Sequence, residues 1–240
     1  LIIRGDELSI KYPYSDTASP IITNDDNTFT AEFDNRTHSE IDLSIFSLNF
    51  NLNNENHITL EIPESFNGSI TINSSAGDLN ASDVNCILNI NIDMGDAYIS
   101  NCSDTYAKLN TGDISASNIS GNINFSTELG DIKVSKCSGS IELLTDKGNI
   151  DLMNGDIQNS KCSTNSGNIS INYLTANKIT INSDQGDITG TELSSGSIDC
   201  YSSKGDINLN GLKCDLIDAH TSSGDISLKI NSPKEEYNIN

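Results

Sequence analysis

The chain is short of the residues that most functional classes require. Its 240 residues include no Trp, 5% aromatics and four Pro. Only Arg4 and Arg36 supply guanidinium groups. Few segments run ten residues without Gly, Asn or Ser, which leaves long helices no place to form. No apolar run reaches the roughly 18 residues of a membrane-crossing helix. Positive charge is equally scarce: 13 Lys and Arg stand against 34 Asp and Glu, for a formal net charge of −21. Such a surface repels phosphate backbones and anionic headgroups, which argues against nucleic acid and against direct membrane insertion by this segment. Its electrostatic partners would be cations or cationic peptides.

Catalytic patterns are missing too. His38, His57 and His220 share no motif, and no G-x-S-x-G, H-E-x-x-H or phosphate-loop pattern occurs. A polysaccharide-cleaving β-helix would set acids beside Arg, Lys or His, and both arginines lie before the regular part of the chain. The expectation is therefore no enzyme, no catalytic residue and no cofactor, with a polysaccharide-active β-helix enzyme as a remote alternative. Tyr98, Tyr106, Tyr173 and Tyr201 read as edge or surface aromatics.

What is present is a repeat. Gly77-Asp78-Leu79, Gly95-Asp96-Ala97, Gly112-Asp113-Ile114, Gly130-Asp131-Ile132, Gly148-Asn149-Ile150, Gly167-Asn168-Ile169, Gly186-Asp187-Ile188, Gly205-Asp206-Ile207 and Gly224-Asp225-Ile226 recur every 17–19 residues. Counted from the glycine, apolar residues recur at +2 and +4, near +7, and near +11 and +13. One unit gives Ile132, Val134, Cys137, Ile141 and Leu143; another gives Ile169, Ile171, Leu174, Ile179 and Ile181, with one residue inserted before the last pair. The pairs alternate at period two, as half-buried strands do. A unit with two short strands cannot bury its own apolar face, but stacked units can. The predicted fold is an all-β, single-stranded β-solenoid (β-helix), right-handed by expectation, with 17–19-residue coils. Coils separated by the inter-strand spacing of ~4.8 Å give a rod section roughly 38 Å long.

Residues 58–240 carry the regular coils. Residues 1–57 alternate less regularly, at Leu8, Ile10 and Tyr12, at Phe29, Ala31 and Phe33, and at Ile41, Leu43 and Ile45. They read as irregular N-terminal coils and a cap, continuous with the rest as one domain. Ser232-Pro233-Lys234-Glu235-Glu236 reads as a turn before one more coil. The start at Leu1 without a leader pattern fits an extracellular or envelope-associated segment whose targeting sequence lies elsewhere.

Stacking puts Asp78, Asp96, Asp113, Asp131, Asp187, Asp206 and Asp225 in one outward column, interrupted by Asn149 and Asn168. Neighbouring carboxylates ~4.8 Å apart repel by about 1 kcal/mol before screening. The reading favoured is turn chemistry, with Asp or Asn accepting from backbone N–H two residues on and Gly supplying positive φ. Calcium is the sharper alternative. The paired glycines of acidic nonapeptide rolls are missing, though, and no EF-hand loop occurs; Asp16, Asp25 and Asp26 make only a weak loop candidate, so no metal site is expected. Cys86, Cys102, Cys137, Cys162, Cys200 and Cys214 occupy apolar offsets and read as buried free thiols. Cys102/Cys137 and Cys162/Cys200 lie two coils apart, about 9.6 Å, which is too far for a disulfide. Cys86 and Cys102 are the one pair near enough to check.

The segment "ITLEIPESFNGSITINSSAGDL" at 58–79, the S-K-G-D-I and S-S-G-D-I turns at 203–207 and 222–226, and the ending "SLKINSPKEEYNIN" resemble the bacterial adhesin-type β-helix family, a domain of uncharacterised function common in Firmicutes. The resemblance runs from about residue 40 onward. It implies cell-surface attachment and carries over no site residue. Some relatives of that family are linked to envelope-stress sensing of cationic antimicrobial peptides. The expected function is an adhesin-like, non-enzymatic scaffold for a protein, peptide or surface partner. The alternative is an acidic binder or sensor of cationic peptides or cations.

Overall fold

A computed structural model describes residues 68–231 continuously, with Ile62 and Phe66, and the backbone of the strands on either side. The described residues are β-strand and turn, without helix. The N-terminal strands are β1 (Ile2–Gly5), β2 (Ser9–Lys11), β3 (Ile21–Asp25), β4 (Thr28–Glu32), β5 (Ser39–Leu43), β6 (Phe46–Asn49) and β7 (Thr59–Pro63). The coils then begin with β8 (Ser69–Ser74), β9 (Leu79–Ser82), β10 (Ile87–Met94), β11 (Ala97–Ser100), β12 (Thr105–Thr111), β13 (Ile114–Ile119) and β14 (Ile123–Leu129). From there each coil is one bent strand: β15 (Ile132–Lys147), β16 (Ile150–Ser166), β17 (Ile169–Ser183), β18 (Ile188–Ser202) and β19 (Ile207–Thr221). The last coil is β20 (Ile226–Ile230) and β21 (Glu236–Ile239).

Each coil pairs parallel and in register with the next. Leu79 meets Ala97, which meets Ile114, then Ile132, Ile150, Ile169, Ile188, Ile207 and Ile226. This is the parallel β-solenoid that the repeat predicts. The lengthening of the coil from 18 to 19 residues is visible in the register: Gly139 pairs with Ile157 but Ile141 with Ser160, so β16 carries one extra residue at Gln158-Asn159.

All ten inward positions named above for the two sample units are buried. Side-chain volume alternates along the stack. Ala107 sits under Phe125, which is fully buried, and Gly155 and Gly190 leave room for Leu174 and Leu209. Interiors packed to crystal-like density demand such complementarity.

Two features differ from the expectation. The later coils are not two strands with a break between them, because a left-handed residue makes the bend inside a continuous strand, joined in β15 by a second at Gly139 with φ of 89°. Asp83, Asn101, Asn118, Lys136, Asn154, Tyr173, Glu192 and Gly211 all have φ between 53° and 74° and all lie six residues after the coil's glycine. This conformation costs a non-glycine residue about 1–2 kcal/mol. Lys136, Tyr173 and Glu192 adopt it without the side-chain help open to Asp and Asn.

Antiparallel pairs are the second difference, since they appear among the strands before β8. β3 pairs with β4 and β5 with β6 in that sense, and β5 runs antiparallel along β8 while β1 runs parallel along β7 and touches β9. The N-terminal segment thus covers the first coil by strand pairing, which removes an open sheet edge. Of the alternating positions read there, Leu8, Tyr12, Phe33 and Ile45 lie outside the described residues, as do Asp16, Asp26, Arg36, His38, His57 and Ser232–Glu235.

The nine coil glycines are held by contact with one another. A Cβ on Gly95 would overlap the carbonyl oxygen of Gly77; one on Gly112 that of Gly95, and so on through Gly224. Positive φ explains only the first part of the column, Gly77 to Gly130, with φ of 119° to 157°. From Gly148 onward the backbone is outside the left-handed range and the close approach alone requires glycine. Gly148→Ala is therefore expected to destabilise by about 3 kcal/mol or more, as overpacking against backbone does. Gly196→Ala, whose new methyl would meet only the Asn177 carbonyl at 3.0 Å, should stay within about 1 kcal/mol. Urea melts of the two variants check this; equal losses would contradict it.

Candidate functional site

The aspartate column lies where the period-two argument places it, on the outer edge of the turns, with each member exposed or half-buried. Its hydrogen bonding differs from the expected local turn. Asp78 Oδ1 accepts from the backbone N–H of Asp96 in the next coil at 2.9 Å, and Asp96 Oδ1 accepts from Asp113 N–H at 2.8 Å. The ladder continues through Asp113, Asp131, Asn149, Asn168, Asp187 and Asp206 to the N–H of Asp225, every step at 2.8–2.9 Å. Each step uses one side-chain oxygen. That is why Asn149 and Asn168 substitute without a break: an amide Oδ1 accepts as a carboxylate Oδ1 does.

The other side of the same peptide is also closed by a side chain. Thr127, Thr145, Thr164, Ser183, Ser202 and Thr221 lie three residues before successive coil glycines. Their hydroxyls donate to the carbonyls of Gly112, Gly130, Gly148, Gly167, Gly186 and Gly205 at 3.0–3.1 Å. This hydroxyl column escaped the sequence reading. Its signal was available, as Ser or Thr three residues before every coil glycine from Gly130 onward. In the preceding coils the same place is Ile92 and Leu109, both buried.

The site therefore consists of acids whose first oxygen maintains the stack and whose second oxygen lies outside that ladder. Asp96 adds an exception, since its Oδ2 accepts from the Tyr98 hydroxyl at 3.1 Å. That bond, reinforced by the charges of Asp96, Asp78 and Asp113, pushes the Tyr98 phenol above its ordinary pKa. Asp78, Asp96, Asp113 and Asp131 form an unbroken run of four. Beside them Met94 and Leu129 are exposed, at 59% and 45%. Asn149 and Asn168 separate this run from Asp187, Asp206 and Asp225. Among the described residues no group of three or more His, Cys, Asp or Glu is placed to hold a metal ion.

The six cysteines are free and buried, including the near pair Cys86 and Cys102. Burial pushes Cys162 and Cys200 up to about 12, and Cys86 and Cys137 to about 11. A protonated, enclosed thiol is a small hydrophobe and a poor nucleophile. Tyr98, Tyr106, Tyr173 and Tyr201 are all exposed; Tyr201 stacks on His220 of the next coil, with ring centroids 5.4 Å apart.

In-register parallel coils, a glycine column and inward aliphatic stacks define a β-solenoid repeat protein. The chain belongs to the Toastrack DUF4097 family, whose model matches residues 3–160 and again 132–240, together nearly the whole length. It is a family of unknown function, so the match supports the solenoid and leaves the adhesin role outside what is shown. No curated protein and no solved structure matches the chain.

The ladder separates what the carboxylate does for the fold from what its charge does. Asp113→Asn keeps the acceptor for Asp131 N–H and removes one repulsive charge, so stability should hold within about 0.5 kcal/mol or rise. Asp113→Ala leaves that N–H without its partner and should cost about 1 kcal/mol. Thermal melts at low salt distinguish the two; an asparagine variant as weak as the alanine one would show that charge, not acceptance, is what the turn needs.

Proposed function

We propose that the chain is a non-enzymatic, adhesin-like interaction scaffold working at the cell surface or envelope. The observation that supports this most is the continuous parallel pairing from β9 to β19, which repeats each outward side chain once per coil along the stack. A protein built this way offers long, regular columns of chemistry to a partner, many weak contacts at fixed spacing. The use of its polar groups also favours the reading. The acid and hydroxyl columns hold one coil on the next, and the thiols are enclosed as core.

A second reading has its own support. The run Asp78, Asp96, Asp113 and Asp131, flanked by exposed Met94 and Leu129, combines negative charge with apolar surface, as a cationic amphipathic peptide would require. This reading makes the chain an acidic binder or sensor of cationic peptides.

One experiment tests both. Beads coated with the purified chain are mixed with intact bacterial cells at low and high salt, with and without excess polylysine. Adhesion that survives high salt and polylysine is the expected result. Adhesion abolished by either would transfer the function to the acidic edge, because screening weakens exposed charge pairs beyond about a Debye length. No adhesion under any condition would contradict the scaffold reading, and failure of the beads to bind polylysine itself at low salt would contradict the second.

A further inference from the structure

One face of the rod departs from the charge of the whole. The outward residues three and five places after each coil glycine form two columns. One runs Asn80, Tyr98, Ser115, Lys133, Asp151, Ser170, Thr189, Asn208; the other runs Ser82, Ser100, Ser117, Ser135, Met153, Asn172, Thr191, Asn210. In a chain of net charge −21, the eight coils from Gly77 to Gly205 hold a single acid and a single base in these columns, Asp151 and Lys133, which face each other on paired strands; the last coil adds Ser227 and Lys229. From the Gly77 coil to the Gly205 coil the face is therefore electrically neutral. It is otherwise mainly hydroxyl and amide.

That face is also concave. A trough of about 600 Å3 crosses β9, β11, β13, β15 and β16, lined by Ser100, Ser115, Ser117 and Ser135 between Tyr98 and Met153. Its volume is within the ~300–1,000 Å3 of small-molecule sites. Tyr98 is 45% exposed, and the bond from its hydroxyl to Asp96 Oδ2 fixes where its ring sits. The ring is thus an oriented apolar plate at the side of a hydroxyl-lined channel. Backbone groups on the paired strands beneath are engaged with the neighbouring coils, so a ligand must be recognised by side chains: the serine hydroxyls, the Asn80 amide, the tyrosine ring and the opposed Lys133 and Asp151, whose charges cancel.

We propose that this trough is a binding site for a neutral oligosaccharide, held by hydrogen bonds to the serine and asparagine side chains and by stacking of a sugar face on Tyr98. A charged polymer gains nothing from a neutral face inside a strongly acidic protein. A peptide would look for unpaired strand edges, and the trough has none. A polyhydroxylated, uncharged chain with apolar C–H faces matches both kinds of group present. Four coil steps at ~4.8 Å make the trough roughly 19 Å long, enough for several sugar units. This deepens the scaffold reading and rests on it, by naming the chemistry that one face would recognise.

The test is titration of the purified chain with chitohexaose and with cellohexaose, followed by NMR shifts or calorimetry. Saturable binding of at least one probe, unchanged between low and high salt, is expected. Tyr98→Ala and Ser117→Met, which remove the plate and fill the trough, should each weaken it by about tenfold or more, with melting temperatures within about 2 °C of the parent because neither side chain is part of the acid and hydroxyl ladders that hold coil on coil. Tyr98→Phe, which keeps the ring but frees it from Asp96, should fall between. No saturable binding of either probe, or variants that bind as the parent does, would overturn the assignment. So would sedimentation showing a dimer that Tyr98→Ala dissociates, since a second copy would then be what covers the face. Coated beads that still adhere to cells while the sugars fail would overturn this site alone and leave the scaffold reading standing.

Discussion

The structure depends on one peptide group repeated up the rod, the Gly–Asp or Gly–Asn link at each turn. Its N–H points back to the carboxylate or amide oxygen of the previous coil. From Gly112 to Gly205 its C=O points forward to the hydroxyl of a Ser or Thr. The same carbonyl lies so close to the next glycine that no side chain fits there. Three residue types at a coil's turn, a hydroxyl, a glycine and an Asp or Asn, are thus bound together by a single geometry. Buried or half-buried backbone groups must find partners, and here they find them in side chains one coil away, not within the turn. The columns look like surface decoration but are the seam of the stack.

From that seam follows the division of labour around each coil. The inward positions carry Ile, Leu, Val, Ala and Cys, and volume alternates from coil to coil so that Phe125 or Leu174 fills what Ala107 or Gly155 leaves. Outward positions are free to vary, and they do so by face: acids gather along the turn edge, while hydroxyls and amides gather on the neighbouring strand. A solenoid lets one chain present chemically distinct surfaces without altering its core, because period two keeps inside and outside apart.

Much of this was legible in the residues. The spacing of Gly-Asp-Ile and the offsets of Ile132, Val134, Cys137, Ile141 and Leu143 gave the coil, its strands and its inward face, because register on a buried core is strongly specified. The outward place of the aspartates was legible for the same reason. Their hydrogen-bond direction was not, since an Asp beside a Gly is equally suited to a local turn and to a bond between coils. The left-handed corner was hidden because Lys136, Tyr173 and Glu192 carry no mark of positive φ; stacking imposes it on whatever residue falls six places after the glycine. The hydroxyl column was overlooked because Ser and Thr are common throughout the chain. The neutral face emerges only when residues 17–19 apart are set side by side.

The central claim is that the turn amide of each coil is bound by the side chain of the coil before it. Hydrogen exchange measured by NMR on the native protein tests this most directly. The amides of Asp113, Asp131, Asn149, Asn168 and Asp187 sit on exposed or half-buried residues at turns, where exchange is ordinarily fast. The account predicts protection close to that of ladder amides such as Ile132 and Ile150. Exchange of these turn amides at the rate of an open loop, with the ladder amides still protected, would contradict it.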